Sequence, residues 1–449
     1  MSFFKSSKLT SNSLTIFTLI LLGVGFRLIN FTDGLWLDEI WSMVTSSVER
    51  SVTDIINDCK EDTHPPLFDL LLHYFLVLFG ENEINGRVLS LIIGVIGMLT
   101  THYYTLRITG NKTTAFLSLY LISFSYFHIY YSTEGRFYTL LYLLSLSIIC
   151  QLYFYLKNNN KIQLILFLFS SLILVYTHYY GAILLLGLAI IVLILWIFKE
   201  INNKQFLRFS LSGFIILAMY SPWVPYMFAR ESNSSWMNAP SIFNFFEYLY
   251  GYTGKNPVEF ILILLALLFS IKQFKTNKIL YSLLIGNILL GFLIPFIVSY
   301  ISVPMLHFRY TFIYFPSVIL VTAIFWEQTT FLSNEKKKVL FFISSGSFII
   351  NFFFINDYTN GIHTEPWKEV AMEITKNEKS VIITEQAFHL NYYLNKQELN
   401  SESTLKRSPS SFYFLQTPYD ANTGTYSKEY KIEKSIDYGN GFVLIFYKK

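Results

Sequence analysis

The chain contains eleven apolar runs that are long enough, or nearly long enough, to cross the hydrocarbon core of a bilayer. A membrane-spanning helix needs about 20 predominantly apolar residues to cross roughly 30 Å, and it satisfies its own backbone hydrogen bonds there. The sequence therefore predicts an all-α polytopic membrane protein with about eleven transmembrane helices. The runs cover residues 14–31, 88–106, 114–131, 137–156, 162–177, 180–198, 209–227, 257–271, 279–300, 310–326 and 339–355.

Composition agrees with this prediction and narrows the function classes. Of the 449 residues, 53% are hydrophobic and only 14% are charged, and the mean hydropathy is +0.42. The net charge of +4 is spread over many connections rather than gathered in one block, so we expect no nucleic-acid partner. Two cysteines, Cys59 and Cys150, are too few to predict a disulfide framework or a zinc site.

A shorter apolar run at residues 67–79 determines the predicted topology, because counting it as a span would invert every later helix. It has thirteen residues and contains Asp69 and His73, so an interfacial helix is favoured over a crossing. With the N-terminus in the cytoplasm, the inner connections then carry fifteen lysines and arginines and the outer connections seven. The positive-inside rule favours this orientation, which places Asp38 and Glu39 outside the cytoplasm.

The chain changes character near residue 357. The segment beyond it is polar, with an amphipathic helical pattern in "PWKEVAMEITK", a strand pattern in "SVIITE", and strand patterns on both sides of the turn signal "DYGNG". We therefore predict a membrane domain over residues 1–356, with interfacial helices in a first outer loop at 32–87. Residues 357–449 are predicted to form a small extracytoplasmic α/β domain.

Ionisable side chains and histidines gather at the predicted outer ends of the helices. Each has an ordinary explanation alone: a carboxylate can cap a helix, an arginine can reach lipid headgroups, and a histidine among tyrosines fits an interfacial aromatic belt. Their accumulation on one side has no such explanation, because ionisable groups at membrane depth are costly and line functional cavities. The candidate site residues are Asp38, Glu39, His64, Arg87, Glu134, Arg136, His178, Tyr179, Arg309, Tyr310 and Arg27.

These residue types indicate chemistry on a lipid-linked phosphate. Carboxylates can act as a general base or hold a metal, and guanidinium groups match phosphate oxygens bidentately. A lipid-phosphate sugar would place its phosphate at headgroup depth, beside both. The carboxylates and His64 could ligate a divalent metal, but no ligand spacing identifies one. Since the arginines already supply charge for a leaving phosphate, we expect no obligatory cofactor.

The order of short motifs along the chain resembles that of a known enzyme group. The motifs "WLDE", "HPPLFDLLLHYF", "GRVLS", "YYSTEGRFYTL", "HYYG" and "RYTFIYFP" follow one another, and this order is similar to that of membrane glycosyltransferases with the C-type fold. The chain resembles the branch that includes protein O-mannosyltransferases and lipid A aminoarabinose transferases, and their bacterial dolichyl-phosphate-mannose-protein-mannosyltransferase-like relatives. The likeness covers the first two hundred residues well and the tenth predicted span moderately, but the C-terminal segment only in its placement and its opening "PWKEVA".

The resemblance implies an inverting transfer from a polyprenyl-phosphate sugar, at a site between the first outer loop and the helix bundle. It implies that Asp38 is the catalytic base with Glu39 as its companion, and that Arg309 and Tyr310 lie near the donor phosphate. One position departs from the pattern: Gly135 stands where many relatives are expected to have alanine. Other residues that match motif positions are His64, Arg87, Glu134 and Arg136.

We therefore expect an inverting glycosyltransferase that moves a sugar from a polyprenyl-phosphate-linked donor to an extracytoplasmic acceptor. The acceptor could be a protein, a glycolipid or a cell-envelope polymer, and the lipid bilayer would be the third partner. The alternatives are a transporter or flippase of polyprenyl-linked lipids without chemistry, and a scaffold for an envelope assembly. Transporters tend to have repeated halves with polar groups near the midplane, whereas this sequence shows no repeat and its polar groups lie at one face.

Overall fold

The structure, a computed structural model, describes residues 9–62, 64–229, 237–330, 332–358, 365–376, 381–394, 411–420 and 430–449. Within these ranges the chain forms nineteen α-helices and one four-stranded sheet. The helices are α1 (Leu9–Arg27), α2 (Leu37–Thr45), α3 (Val52–Glu61), α4 (Leu67–Phe79), α5 (Glu83–Thr109), α6 (Lys112–Ser123), α7 (Tyr126–Ser132), α8 (Tyr138–Asn158), α9 (Lys161–Val175), α10 (Tyr180–Ile197), α11 (Asn203–Tyr220), α12 (Val224–Ala229), α13 (Asn244–Tyr252), α14 (Pro257–Gln273), α15 (Lys278–Ile301), α16 (Phe315–Gln328), α17 (Asn334–Ile350), α18 (Trp367–Thr375) and α19 (Ala387–Leu394). The strands are β1 (Val381–Ile383), β2 (Ser411–Gln416), β3 (Lys431–Gly439) and β4 (Phe442–Lys448).

Helices account for every predicted span. In the part of the chain that the structure describes, seven helices are long and apolar enough to cross a membrane. The other predicted spans correspond to α1, to α6 with α7, to α9 and to α11. The predicted all-α polytopic membrane architecture is therefore confirmed. The seven long helices are Glu83–Thr109, Tyr138–Asn158, Tyr180–Ile197, Pro257–Thr276, Lys278–Ile301, Phe308–Gln328 and Asn334–Ile355.

Helix α4 coincides with the run that we predicted to be interfacial. Its thirteen residues extend only about 20 Å along an α-helix, too short to cross the hydrocarbon core. One side of the helix is buried and includes Asp69 and His73, whereas Leu71, Tyr74 and Leu78 are exposed. This two-sided pattern agrees with a helix that lies at the membrane surface.

The third predicted span is broken between α6 and α7, and Arg27 stabilises the break. The Arg27 guanidinium donates to the carbonyl oxygens of Ile122 and Ser123, each over 3.0 Å, at the end of α6. On the α7 side it contacts Ser132 Oγ at 3.2 Å and His128 Nδ1 at 2.8 Å. Helix ends leave carbonyl groups without partners, and the membrane interior offers no water to satisfy them. Fully buried Arg27 therefore has a structural role in the bundle.

Asparagine side chains begin six of the helices. Each accepts hydrogen bonds from backbone N–H groups in the first turn of α5, α6, α9, α11, α14 or α15. These N–H groups have no partner within the helix, and asparagine is among the residues that cap them best. The caps are Asn82, Asn111, Asn160, Asn202, Asn256 and Asn277.

The tenth predicted span begins as a 3-10 helix, Phe308–Tyr314, that continues into α16. Pro316 lies in the first turn of α16, where the missing N–H would have had no partner within the helix. The 3-10 helix packs against α8, α10 and α15. Because α8 and α16 are buried along nearly their whole length, this arrangement places Arg309 and Tyr310 at one end of the bundle centre.

The C-terminal sheet has the strand order β1, β2, β4, β3. Strand β1 pairs in parallel with β2, and β4 pairs antiparallel with both β2 and β3. The predicted helix in "PWKEVAMEITK" is α18, the predicted strand in "SVIITE" is β1, and the "DYGNG" turn joins β3 to β4. Helix α19 and strand β2 are additional. The predicted small α/β domain is therefore confirmed, while its boundary at residue 357 stays a prediction.

Candidate active site

Four parts of the chain bring carboxylates and arginines together at one end of the bundle. Helix α2 supplies two neighbouring acids, and the first turns of α5 supply an arginine. The connection between α7 and α8 and the 3-10 helix before α16 supply the others. Hydrogen bonds and charge interactions join the members. We call this group the acid–arginine cluster: Asp38, Glu39, Arg87, Glu134, Arg136 and Arg309.

Asp38 and Arg309 form the accessible part of the cluster. Arg309 Nη1 donates to Asp38 Oδ2 over 2.7 Å. The Asp38 side chain is 26% exposed and the Arg309 side chain 20%, whereas the other four members are at most 4% exposed. The Arg309 guanidinium also lies 5.3 Å from the centre of the Trp36 ring, a cation–π contact. A substrate can therefore reach a carboxylate and a guanidinium side by side.

Glu39 and Arg87 form a buried bidentate ion pair. Arg87 Nε and Nη2 donate to the two carboxylate oxygens of Glu39 over 2.7 and 2.6 Å. The remaining Arg87 N–H groups donate to the backbone oxygens of Phe31, Asp33 and Gly34, so all five guanidinium donors are used. All five donors of the candidate residue Arg87 thus have partners within the protein. The two neighbouring acids therefore have different environments. The Glu39 carboxylate is buried and hydrogen-bonded to Arg87, whereas the Asp38 carboxylate is accessible.

The departure from the family pattern at Gly135 has a geometric reason. Gly135 N donates to Glu39 Oε1 over 2.7 Å, which adds a third strong hydrogen bond to the buried carboxylate. A Cβ atom at position 135 would lie 3.0 Å from the carbonyl oxygen of Gly86 in α5. Alanine would therefore require a local backbone shift at the point where the α7–α8 connection reaches Glu39.

Arg136 joins the α7–α8 connection to α2. Its Nη1 donates to Ser42 Oγ over 2.6 Å and to the backbone oxygen of Asp38 over 3.1 Å. The guanidinium also lies 4.8 Å from the centre of the Phe137 ring. Arg136 Nε is buried without a hydrogen-bond partner, so this arginine keeps an unused N–H within the cluster.

Glu134 is a buried carboxyl group with an unsatisfied oxygen. The residue is 1% exposed, and its Oε2 has no hydrogen-bond partner. Burial is the main cause that raises the pKa of Glu134 well above its ordinary value. The neighbouring Glu39 charge adds to this shift, while the Arg309 charge opposes it. This environment favours the protonated form, so Glu134 can offer a proton or a hydrogen bond within the cluster.

Glu134→Gln should stabilise the protein by a margin that grows as pH rises. The folded-state pKa of Glu134 is raised above its unfolded value, so the wild type loses stability as pH rises from the ordinary carboxyl range through the folded-state pKa. Glutamine has nearly the same shape and does not titrate. Thermal midpoints of the two proteins in detergent, measured between about pH 5 and pH 8, would check this. A margin that stays constant or shrinks would contradict it.

His178 and Tyr310 lie against each other beside the cluster. Their ring centres are 5.1 Å apart, and the His178 ring is 4.8 Å from that of Phe137. Burial is the main cause that lowers the pKa of His178 well below its ordinary value, so the ring is neutral; its Nδ1 accepts from the Tyr180 N–H. Tyr180, which the sequence did not single out, contacts Tyr310 at 5.3 Å. The predicted Tyr179 is half-buried at the start of α10.

Two other predicted residues have their partners elsewhere. All five Arg27 donors are used within the bundle, on α1, α6 and α7. His64 is fully buried, with its ring beside Phe137 and its two nitrogens near the carboxylates of Asp62 and Asp69. The structure therefore does not bring Arg27 or His64 to the accessible Asp38–Arg309 pair.

Residues of the C-terminal segment contact the backbone at the start of α2, close to Asp38, and sequence reasoning missed them. Glu365 Oε2 accepts from the Leu37 N–H over 2.7 Å, and Tyr393 Oη accepts from the Leu35 N–H over 2.6 Å. Tyr419 in turn donates to Glu365 Oε1 over 2.5 Å. The available signal was the family-like opening "PWKEVA", which follows Glu365 directly. The small domain thus holds the backbone on which the accessible carboxylate is mounted.

One family model matches part of the sequence. Residues 63–226 match the family model of dolichyl-phosphate-mannose-protein mannosyltransferases. The matched region contains Arg87, Glu134, Arg136 and His178 and ends before Arg309. A search of curated proteins found no significant match.

Comparisons of structure cover nearly the whole chain. The chain is similar to ArnT from Cupriavidus metallidurans in the apo state, with a TM-score of 0.69 and 10% identity over 98% of each chain. The ArnT structure bound to undecaprenyl phosphate gives a TM-score of 0.68 and 12% identity, over 97% of this chain and 98% of that one. The oligosaccharyltransferase AglB from Archaeoglobus fulgidus, in complex with an inhibitory peptide and a dolichol-phosphate, gives 0.55 and 12% identity, over 89% of this chain and 65% of its own.

The order of the motifs, the family model and the fold agree with one another. The chain has the fold of the C-type membrane glycosyltransferases, and its predicted resemblance to the dolichyl-phosphate-mannose-protein mannosyltransferase branch of that group is confirmed.

Proposed function

We propose that the protein is an inverting glycosyltransferase whose donor is a polyprenyl-phosphate-linked sugar. The observation that carries the proposal is the accessible Asp38–Arg309 pair next to the buried Glu39–Arg87 ion pair. It offers a base and a phosphate-binding cation together at the end of a membrane bundle. The fold shared with ArnT and AglB, whose structures hold undecaprenyl phosphate and a dolichol-phosphate, supports a polyprenyl phosphate as the ligand.

Asp38 would act as the general base. Its carboxylate takes the proton of the acceptor hydroxyl as the hydroxyl oxygen attacks the anomeric carbon of the sugar. The bond from that carbon to the phosphate oxygen breaks in the same step, and its electron pair leaves with the polyprenyl phosphate. Attack from the face opposite the phosphate inverts the anomeric configuration.

Arg309 would hold the departing phosphate. A guanidinium can donate two parallel hydrogen bonds to phosphate oxygens, and these strengthen as the leaving group gains charge. Because Arg309 pairs with Asp38, phosphate binding would draw it away and free the carboxylate to accept a proton. Arg136, whose Nη1 contacts the Asp38 backbone and whose Nε–H has no partner, would supply a second donor.

Glu39 and Arg87 would position the site rather than take part in the chemistry. Their ion pair fixes the backbone of residues 31–34 through three carbonyl contacts of Arg87, immediately before α2. Glu39 in turn holds the α7–α8 connection through Gly135 N. The pair therefore sets where Asp38 stands relative to Glu134 and Arg136.

Substitution of Arg309 should weaken the binding of polyprenyl phosphate. A hydrogen bond to a charged group contributes about 1.5–3 kcal/mol, so Arg309→Gln should raise the dissociation constant of undecaprenyl phosphate about 10- to 100-fold. Arg309→Lys should give an intermediate value, because an ammonium group lacks the planar fork. Fluorescence of Trp36, which lies beside the Arg309 guanidinium, gives one way to follow the titration.

The matched control for this titration is Arg50→Gln. Arg50 lies in the connection between α2 and α3 and pairs with Asp58, and both side chains are 36% exposed. The control should bind undecaprenyl phosphate as the wild type does. Equal affinities for the wild type and Arg309→Gln would contradict the assignment.

The proposal extends to the orientation of the protein in the membrane. We infer that the N-terminus is cytoplasmic and that the cluster and the C-terminal domain are extracytoplasmic, supported by the fifteen-to-seven distribution of basic residues. A reporter enzyme that is active only outside the cytoplasm, fused after Lys449, should be active. An inactive reporter on a well-expressed fusion would indicate the opposite orientation and contradict this inference.

Comparison of cells with and without the gene would test the function and identify the acceptor. Mass spectrometry of envelope glycolipids, polymers and glycoproteins should show one sugar modification lost, and lipid extracts should show its polyprenyl-phosphate donor accumulating. Unchanged glycans together with unchanged polyprenyl lipids would contradict the proposal.

A further inference from the structure

A second polar cluster lies under the first loop, separate from the Asp38–Arg309 pair. It consists of Cys59 near the end of α3, His64 in the following connection and Asp69 in α4. Asp69 Oδ2 is 3.6 Å from Cys59 Sγ and 3.4 Å from His64 Nδ1. One ligand atom from each residue lies within 4.8 Å of the other two, and all three residues are at most 1% exposed.

The hydrogen-bonding capacity of this cluster is not satisfied. Neither ring nitrogen of His64 makes a hydrogen bond of acceptable geometry, and Asp69 Oδ1 has no partner. His64 and Asp69 are both 0% exposed. A buried polar group without a partner is costly. His64 Nδ1 and Asp69 Oδ1 are two such atoms on neighbouring side chains, and they indicate a missing ligand.

We propose that Cys59 Sγ, His64 Nδ1 and the Asp69 carboxylate bind a zinc ion. Zinc held tetrahedrally, at about 2.3 Å from sulfur and 2.0–2.2 Å from nitrogen and oxygen, separates its ligand atoms by roughly 3.3–3.7 Å. The observed separations of 3.4 and 3.6 Å fit two edges of such a tetrahedron, and the third pair of ligand atoms lies within 4.8 Å. A thiolate among the ligands favours zinc over magnesium or calcium, which take oxygen ligands.

The surroundings of His64 also fit a metal ligand. Asp62 Oδ2 lies 3.1 Å from His64 Nε2, the ring nitrogen that faces away from the proposed ion. Metal-bound histidines commonly donate their other N–H to a carboxylate, which fixes the tautomer and the ring orientation. The same Asp62 oxygen accepts from Trp41 Nε1 over 2.9 Å. The site would thus connect α3 and α4 to α2, the helix that carries Asp38.

The zinc would connect α3 to α4, and its three protein ligands would leave a fourth position open. Its three protein ligands are buried, and it would hold the α3–α4 turn through His64 against Phe137, the neighbour of Arg136. Two cysteines were too few to predict a zinc site from the sequence. A mixed donor set needs only one thiolate, so the cysteine count could not indicate this site. The proposal does not rest on the proposed transferase activity, since no ligand is one of the residues assigned to that chemistry.

Metal content of the full-length protein would test the site. Wild type, Cys59→Ser, Asp69→Asn and the matched control Cys150→Ser would be purified without chelators, incubated with zinc, freed of excess metal and measured by mass spectrometry. Cys150 is fully buried in α8, outside the cluster. We expect about one zinc per chain in wild type and control, and at least about tenfold less in the two ligand variants. Equal zinc in all four proteins, or none in the wild type, would overturn the proposal.

Two further measurements apply even if the ligand variants fold poorly. Addition of a chelator should lower the thermal midpoint of wild type and Cys150→Ser, and zinc should restore it. The wild type loaded with cobalt instead of zinc should show thiolate-to-cobalt charge-transfer absorption that Cys150→Ser retains. Bound cobalt without that absorption, or a thermal midpoint insensitive to both chelator and zinc, would overturn the proposal.

Discussion

Asp38→Asn is expected to lower sugar transfer about 100- to 10,000-fold, the contribution of a well-placed general base. Asparagine keeps the shape of the side chain but cannot take the proton of the acceptor hydroxyl. Binding of polyprenyl phosphate should persist or strengthen, because the Asp38 carboxylate no longer competes with the phosphate for the Arg309 guanidinium. Transfer of labelled sugar from a polyprenyl-phosphate donor in native membranes would measure the effect.

The control for Asp38→Asn is Asp58→Asn. Asp58 is a half-exposed carboxylate in α3 of the same loop, paired with Arg50, so its neutralisation changes the charge of the loop equally. It should leave transfer within about twofold, since an exposed ion pair contributes at most about 1 kcal/mol. Equal transfer by wild type and Asp38→Asn would remove Asp38 from the role of base.

Breaking the Glu39–Arg87 pair is expected to cost about 3–5 kcal/mol of folding free energy, because the surviving partner is left as a buried, uncompensated charge. Arg87→Met and Glu39→Gln should therefore each lower the thermal midpoint and the folded yield in detergent strongly. The double variant should be more stable than Arg87→Met alone, since it leaves no buried charge. Thermal unfolding and size-exclusion profiles of the three variants would measure this.

Glu83 and Lys368 provide the matched pair for comparison. Their side chains are 24% and 35% exposed, and the contact joins α5 to α18 over 2.8 Å. Lys368→Met should cost less than about 1 kcal/mol, because the contact is solvated. If Arg87→Met proved no more damaging than Lys368→Met, the buried pair would not be the anchor of the site.

The membrane architecture could be predicted from sequence because bilayer thickness fixes helix length. The thirteen residues of α4 were distinguishable from a span by their number and by the polar Asp69 and His73 among them. The break between α6 and α7 was not, since both halves are apolar and the carbonyl groups at the break are bonded by the distant guanidinium of Arg27. A hydrophobic pattern indicates the surroundings of a helix. It does not indicate a break in the helix whose backbone groups are bonded by a side chain from another helix.

The site could be predicted only as a set of candidates. Asp38 and Arg309 are 271 residues apart, and no periodicity reports that two helix ends meet; the family resemblance supplied that expectation. Three arginines looked alike in sequence, yet Arg27 and Arg87 have all their donors occupied while Arg309 is accessible. Saturation of donors depends on backbone carbonyls brought together by the fold, which leave no mark on the sequence.

The most direct test of a polyprenyl-phosphate-dependent transferase is conversion of the donor by purified protein. Proteoliposomes would receive polyprenyl lipids and an acceptor fraction from native membranes, and mass spectrometry would quantify polyprenyl phosphate and its sugar-linked form. We predict that wild type converts the sugar-linked lipid to polyprenyl phosphate and that Asp38→Asn does not. Donor that crosses the bilayer with its sugar still attached, or stays unchanged with wild type, would contradict the proposed function.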